Sequence, residues 1–540
     1  MKSRFILFVF LLFCLTGLNA QTGLFGGSVV PFKPQSPLFG KDIVIQDTSD
    51  RDQRNVAICS AFNGWLYAVY SYPIGIEQAI AVLRSIDNGI NWELLGEGGM
   101  IFASSTTRVN IIACGNSIND LKLFVGYVYF IATLNTGGAY VIRYKAEPFG
   151  YEDELLKQDG GIIKDLALSS DYMYPSINSN PYSIGVLYSR KGVKDTLVFR
   201  SSSNGGISLD SRHKIATSSN YFHKVSLNYG RSPTWNSGRY FAAWEEQDNA
   251  NSVSGHIYTS HSEPDFNSPF TSPVLLDSLD ASTANKASNP VISCQNNAAD
   301  NDSSNLTEVV LFEKYVTATS KYNIAGCYNK KATNSNNFQK FTIDASINNK
   351  LQPDICFNAF DSTFIVTYFD STAQKLPYYK HDFNMINPDS WVELSAGYND
   401  YNNLVAPHPK VIMDFGKQMG ANAWLGTRIG GNGAAMFDSP FTYYTGIPTN
   451  SQNDLVHLIG SYPNPCSTTI RIAFKLKNAG NVTIDVMDIM GQTLRTVTDQ
   501  VYSPGKHIMQ YDVSNLPDGN YLYKFRSGDF NAAGKFTVVR

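Results

Sequence analysis

Trp65-Leu66-Tyr67-Ala68-Val69-Tyr70, Ile184-Gly185-Val186-Leu187-Tyr188, Tyr240-Phe241-Ala242-Ala243-Trp244, Val309-Val310-Leu311-Phe312 and Phe364-Ile365-Val366-Thr367-Tyr368 are variants of one pattern. Each is a short run of aromatic and β-branched residues, apolar at successive positions, so the strand it predicts is covered on both faces. Working outward, each run is the second strand of a unit that opens with a shorter apolar strand, often introduced by Pro. The units span Asn55–Tyr72, Arg108–Phe130, Tyr174–Tyr188, Lys224–Trp244, Pro290–Tyr315, Pro353–Phe369 and Pro409–Leu425. Third strands follow at Ala79–Arg84, Tyr140–Tyr144, Leu197–Ser201, His256–Ser260, Asn323–Tyr328, Leu376–His381 and Gly433–Phe437. Fourth strands are readable at Trp92–Leu95, Pro273–Leu276, Lys340–Ile343 and Trp391–Leu394. Four antiparallel strands repeated seven times predict an all-β body, a seven-bladed β-propeller. The same spacing also fits two or three β-sandwiches in series.

Two features favour the ring. The last unit lacks a clear fourth strand, while Asp42-Ile43-Val44-Ile45-Gln46 resembles a fourth strand with no unit of its own. Docking it on the last sheet removes an exposed edge. The second feature is Ser85-Ile86-Asp87-Asn88-Gly89-Ile90-Asn91-Trp92, which resembles the Asp-box of sialidase-type propellers, Ser-x-Asp-x-Gly-x-x-Trp. Ser85 and Asp87 suit bonds to the turn's own backbone, Gly89 permits positive φ, and Trp92 packs between sheets. Ser201–Leu209 reads as an eroded copy with Ser203 in the Asp place. In families carrying the box it lies away from the active face, which implies a structural role.

Composition narrows the class. The chain has 540 residues, 43% apolar and 13% aromatic, with 16% charged residues and a net charge of −3. No basic stripe marks a nucleic-acid partner. Residues 1–20 have the pattern of a signal peptide: Lys2 and Arg4, an apolar run Phe5–Leu15, and a small residue, Ala20, at the expected cleavage site. No later segment is apolar enough to predict a membrane span. Cys59 and Cys114, and likewise Cys294 and Cys356, fall in first strands of different units, which leaves disulfides between units or buried thiols as alternatives. Zinc-ligand spacing is missing, and neither a metal nor a cofactor is expected. The stretch Asn296–Ser304 reads as a hairpin loop.

Three segments are expected after the signal peptide: the propeller over 21–445, a polar linker over 446–458, and a small Ig-like β-sandwich over 459–540. The last contains Tyr462-Pro463-Asn464-Pro465, a strand ending in Asp488-Ile489-Met490-Gly491, Leu516-Pro517-Asp518-Gly519-Asn520-Tyr521, and a terminal strand bearing Lys535. In order and spacing these resemble the type A sorting domain of type IX secretion substrates in Bacteroidetes, although Met487 stands where that family usually has Tyr. The resemblance implies recognition by the type IX machinery, passage through the periplasm, and a product that is secreted or held on the outer cell surface.

The loops leading into first strands and leaving second strands gather on one face of a propeller. That places Arg51, Arg54, Arg108, Tyr172, His223, Asp354 and His408, with Glu245, Glu246, Glu313 and Asp370, on a candidate binding rim. The sialidase resemblance would require three arginines around the ring to clasp a carboxylate. None occurs from Tyr240 through Thr427, so sialidase activity is not expected. Other glycosidases need two facing carboxylates, and no catalytic residue is assigned. The expectation is a rim that binds an extracellular glycan or protein, with a carbohydrate-active hydrolase or lyase as the alternative.

Overall fold

The computed structural model describes Phe39, residues 42–45, and residues 51–440 and 456–538 apart from breaks, the longest at 172–181, 232–237, 248–254, 264–269, 278–285 and 297–305. The expected signal peptide and nearly all of the Asn296–Ser304 loop lie outside the described residues. Among those residues the architecture is all-β, with no α-helix.

After β1 (Ile43–Val44), the strands β2 (Arg54–Ser60), β3 (Leu66–Ile74), β4 (Glu77–Ser85) and β5 (Glu93–Phe102) form an antiparallel sheet. A seven-stranded sheet follows: β6 (Ser105–Cys114), β7 (Lys122–Ile131), β8 (Thr136–Ala146), β9 (Phe149–Ser170), β10 (Ile184–Lys191), β11 (Asp195–Ser202) and β12 (His213–Ser218). Three four-stranded sheets come next. They are β13 (Tyr221–Gly230), β14 (Arg239–Gln247), β15 (His256–His261), β16 (Val274–Leu275); β17 (Ala287–Cys294), β18 (Glu308–Val316), β19 (Lys321–Asn329), β20 (Gln339–Thr342); and β21 (Lys350–Asn358), β22 (Thr363–Asp370), β23 (Tyr378–Asp382), β24 (Val392–Ser395). Finally β25 (Lys410–Asp414), β26 (Met419–Thr427) and β27 (Gly433–Asp438) take β1 as their fourth strand.

The seven-stranded sheet corrects one expected boundary. β9 pairs with β8 up to Gly161 and with β10 from Ile162 onward, so one long strand closes one unit and opens the next. The unit expected at Tyr174–Tyr188 therefore begins earlier, at 162–170. Gly160-Gly161 lie within this strand.

The apolar faces are buried between sheets. Tyr67 and Val69 pack with Val109 and Val125; Val128 and Val141 with Leu166 and Val186; Leu187 and Phe199 with Val225 and Tyr240. Phe241 and Ala243 meet Ile292 and Val310; Leu311 and Phe341 meet Phe357 and Val366; Ile365 and Tyr378 meet Val411 and Trp424. Ala421 and Phe437 then return onto Leu66 and Tyr70. First strands follow the same cycle: β2 touches β6, then β9, β13, β17, β21 and β25 each touch the one before, and β25 touches β2.

The chain's early residues seal this cycle, as the sequence predicts. Ile43 lies opposite Phe437 and Val44 opposite Met436. The Ile45 N–H donates to Ala435 O at 2.9 Å and the Gln53 N–H to Gly433 O at 3.0 Å. Gln53 Oε1 accepts from Ala435 N–H at 2.6 Å, and Asp52 Oδ1 from Gly433 N–H at 2.8 Å.

The turn after β4 sits on that seam. Ser85 Oγ donates to Asp87 Oδ1 and accepts from Gly89 N–H, both at 2.8 Å; Asp87 Oδ1 also accepts from Asn91 N–H at 2.9 Å. Trp92 Nε1 donates to Gly89 O at 3.0 Å, and its ring meets Phe437 edge-on. In the second copy the bonding frame is shifted by one from the expected one. Ser202 Oγ and Asn204 Oδ1, not Ser203, take these roles, with Gly206 N–H donating to Ser202 at 2.9 Å.

Disulfides between units are not formed: Cys59, Cys114 and Cys294 carry thiols buried among apolar neighbours. Cys294 lies beside Glu308, a fully buried carboxyl whose Oε1 is 2.6 Å from Thr259 Oγ1. That hydroxyl is also 3.0 Å from Ala242 O. One hydroxyl proton serves only one of these acceptors, so the pair of contacts is satisfied when Glu308 keeps its own proton. Burial pushes Glu308 up to about 7, in agreement.

Beyond the body, β28 (Val456–Tyr462), β29 (Thr469–Leu476), β30 (Gly480–Met487), β31 (Thr493–Tyr502), β32 (Gly505–Asp512), β33 (Gly519–Ser527) and β34 (Phe530–Val538) build two sheets, β28-β29-β32 and β31-β30-β33-β34. Their common core includes Ile470, Ile472 and Phe474 from one and Val482, Ile484 and Phe525 from the other. Strand β28 starts three residues ahead of the boundary expected at 459.

Gly89 has φ +88°, and a Cβ there would lie 1.9 Å from the Phe437 ring. Gly89→Ala is expected to lose about 2 kcal/mol or more from overpacking and backbone strain together. Gly75→Ala, at φ +61° with nothing within 4 Å, isolates the backbone part. Thermal melting of both variants should show the larger drop for Gly89→Ala.

Glu308 yields a pH test. Between its ordinary 4.5 and about 7 the folded chain keeps a proton that the unfolded chain releases, so this stabilisation is complete below pH 4.5 and lost as pH rises through 7. Glu308→Gln retains the neutral form. Its melting temperature relative to the parent should rise from pH 5 to pH 8, by a gap worth about 2 kcal/mol.

Candidate functional site

The first strands carry a repeated irregularity at one end. The ladder skips between Arg54 and Ala57, Thr106 and Arg108, Phe222 and Val225, Ser288 and Val291, and Leu351 and Asp354. Such bulges re-aim neighbouring side chains. Asn55, Asn289 and Gln352 adopt left-handed backbone there, as does His408 just ahead of β25, with φ of 54°, 51°, 54° and 43°.

Side chains from one sheet hold the bulged backbone of the next. Glu245 Oε2 accepts the Asn289 N–H at 3.1 Å, and Glu313 Oε1 the Gln352 N–H at 2.7 Å. Gln352 Oε1 accepts the His408 N–H at 2.9 Å. Asp165 Oδ2 accepts from Val225 N–H at 2.9 Å, and Asp354 Oδ2 from Val411 N–H at 2.8 Å. Burial pushes the Glu313 carboxyl up, against the bonds it receives from Gln352, Asn289 and Ser288.

Within this frame the mouth of the ring collects charge from five first strands. Arg108 Nε stands 3.6 Å from Asp165 Oδ1, and Lys410 Nζ 3.4 Å from Asp354 Oδ1. Lys410 also feels Arg108 and Asp165, and burial together with Arg108 draws its pKa down. His408 is open to water yet ringed by protein, with Lys410, Lys224 and Arg108 around it; desolvation first, then these cations, push it down to about 4. Lys224 has no hydrogen-bond or ion-pair partner among the described residues. His223 Nδ1 lies 3.9 Å from Glu245 Oε1.

Of the residues expected on the rim, the structure thus brings Arg108, His223, Glu245, Glu313, Asp354 and His408 to one end of the ring. Others are spent elsewhere. Arg51 pairs with Glu97 and lies over the Tyr72 ring, while Arg54 is half exposed and pairs with Asp52 at 2.6 Å. Glu246 accepts from Ser218 and Asn220, and Asp370 from Asn348 and the Ala373 N–H, each closing a local loop. Tyr172 lies outside the described residues. Because the first strand of its unit runs over 162–170, that stretch follows the strand instead of leading into it. Asp165, Lys224, Asn289, Gln352 and Lys410 were missed. Asn289, Gln352 and His408 each precede a Pro at the bulged end of a first strand, a signal that marks all three together.

In the C-terminal part, Tyr462 ends β28 opposite Arg471. Tyr521 is buried, donates to Pro517 O at 2.7 Å and stacks on Phe536. Gly519 opens β33 opposite Val538, and Lys535 pairs with Leu522. Pro463, Asn464, Pro465 and Gly491 lie outside the described residues. Residues 461–539 match the family of secretion system C-terminal sorting domains. The chain carries the sorting tail of type IX secretion, which addresses it to that machinery for secretion or cell-surface export. Among the described residues no helix is long and apolar enough to cross a membrane.

No curated protein matches the chain in sequence. Similar solved structures include a mutant α-L-arabinofuranosidase from Fusarium graminearum (7% identity, TM-score 0.44, covering 74% of this chain and 97% of that one). The NanB sialidase from Streptococcus pneumoniae is another (11%, 0.38, 76% and 71%), as is a mutant Aleuria aurantia lectin in complex with α-methyl-L-fucoside (11%, 0.34, 63% and 94%).

His408 should remain neutral throughout the physiological range. An NMR titration of its ring is expected to give a midpoint near 4. Lys410→Met, by removing the neighbouring cation with the largest effect on it, should move that midpoint upward.

Proposed function

We propose that the chain is an exported protein whose body is a seven-bladed β-propeller, joined by a linker to an Ig-like sorting domain, and that the bulged end of the propeller binds an extracellular glycan. The boundaries follow the sequence reading, with the propeller ending by 445. The turn at Ser85, Asp87, Gly89 and Trp92 is read as an Asp-box, a structural device on the ring's seam.

One observation carries the binding reading. Polar and charged side chains from separate first strands converge at the mouth, while the carboxylates Glu245 and Glu313 are committed to backbone N–H groups of the next sheet. Carboxylates so engaged are positioning groups for the rim and are poorly placed to serve as the acid and base of a hydrolase. Recognition without turnover fits them better.

A glycan array probed with the purified chain tests this. Binding to at least one extracellular glycan is expected, and His223→Trp, which places a bulky ring on the rim, should abolish it. The control His507→Trp, in the sorting domain, should leave it intact. No array binding, or binding indifferent to His223→Trp, would remove the reading.

A further inference from the structure

The mouth holds three cations where two carboxylates are already partly occupied. Asp165 and Asp354 each give one oxygen to a backbone N–H, of Val225 and Val411. What they offer Arg108 and Lys410 is at 3.6 and 3.4 Å, longer than a good charge-assisted hydrogen bond. Asp165 Oδ1 is buried and has no hydrogen bond. Lys224, next in the chain to Val225, whose N–H Asp165 accepts, brings a third positive charge with no counter-ion among the described residues, and the charges of all three bear on His408. Cations brought together in a partly desolvated place repel one another unless an anion joins them.

We propose that Arg108, Lys224 and Lys410 form an anion clasp at the propeller mouth, selecting glycans that carry carboxylate or sulfate groups. The inference rests on the mouth being a binding site and adds the class of ligand. Arg108 supplies a planar fork for two oxygens, and the two lysines supply point charges from other sides. Gln352 and His408, joined to each other at the same mouth, keep hydrogen-bonding capacity for sugar hydroxyls.

Isothermal titration with the full chain at low salt tests the clasp, using oligogalacturonate, dextran sulfate and neutral dextran as probes. At least one anionic probe should bind, more weakly as salt rises, and neutral dextran should not. Lys224→Glu should weaken that binding by about tenfold or more. Lys224 has no hydrogen-bond or ion-pair partner to lose among the described residues, so the variant should melt like the parent. Arg108→Gln should act in the same direction, and Lys340→Gln, on exposed β20, should not. The two anionic probes distinguish carboxylate from sulfate. Anionic binding unchanged by Lys224→Glu, or no anionic binding at all, would overturn the clasp. Array signals confined to neutral glycans but lost with His223→Trp would overturn the clasp alone and leave the mouth as a binding site.

Discussion

Burial of apolar strand faces between neighbouring sheets is the constraint from which the rest follows. A second strand such as Thr363–Asp370 is buried along its whole length, so its sheet needs a partner on either side. A row of such sheets always leaves two oily outer faces, and only closing the row on itself covers them. The packing of Ala421 and Phe437 against Leu66 and Tyr70 is that closure. The polar work of Asp52, Gln53 and the Ser85–Trp92 turn concentrates where the row meets its own beginning.

The site is a by-product of the same geometry. Inner strands crowd together around the axis, so their exposed ends lie near one another however far apart they are in sequence. Bulges loosen the ladder at those ends, and carboxylates or amides from the preceding sheet take up the freed N–H groups. What remains uncommitted is mostly cationic. The scaffold thus uses acidic side chains for holding and leaves basic ones at the mouth.

Much of the fold was legible because burial on two faces writes itself as an unbroken apolar run, and because Asp42–Gln46 had no other strand to belong to. The sorting tail was legible from local motifs such as Leu516–Tyr521. The third unit was placed too late because its first strand runs on unbroken from the strand that closes the second unit, and with that frame lost Asp165 went unseen. The roles of Glu245 and Glu313 were hidden for another reason: the N–H groups they accept lie 44 and 39 residues away. No local pattern encodes such a bond. Basic residues inside first strands, Lys224 and Lys410, read as ordinary strand ends until the cycle brought both strands to one mouth.

The latch formed by Ile43 and Val44 on β27 also dictates an order of assembly. Strand β1 cannot take its place until β27, far along the chain, has been made. A chain stopped anywhere before Asp438 has no place to put it. The completed latch thus ties the two ends of the body together only when every intervening sheet is in place.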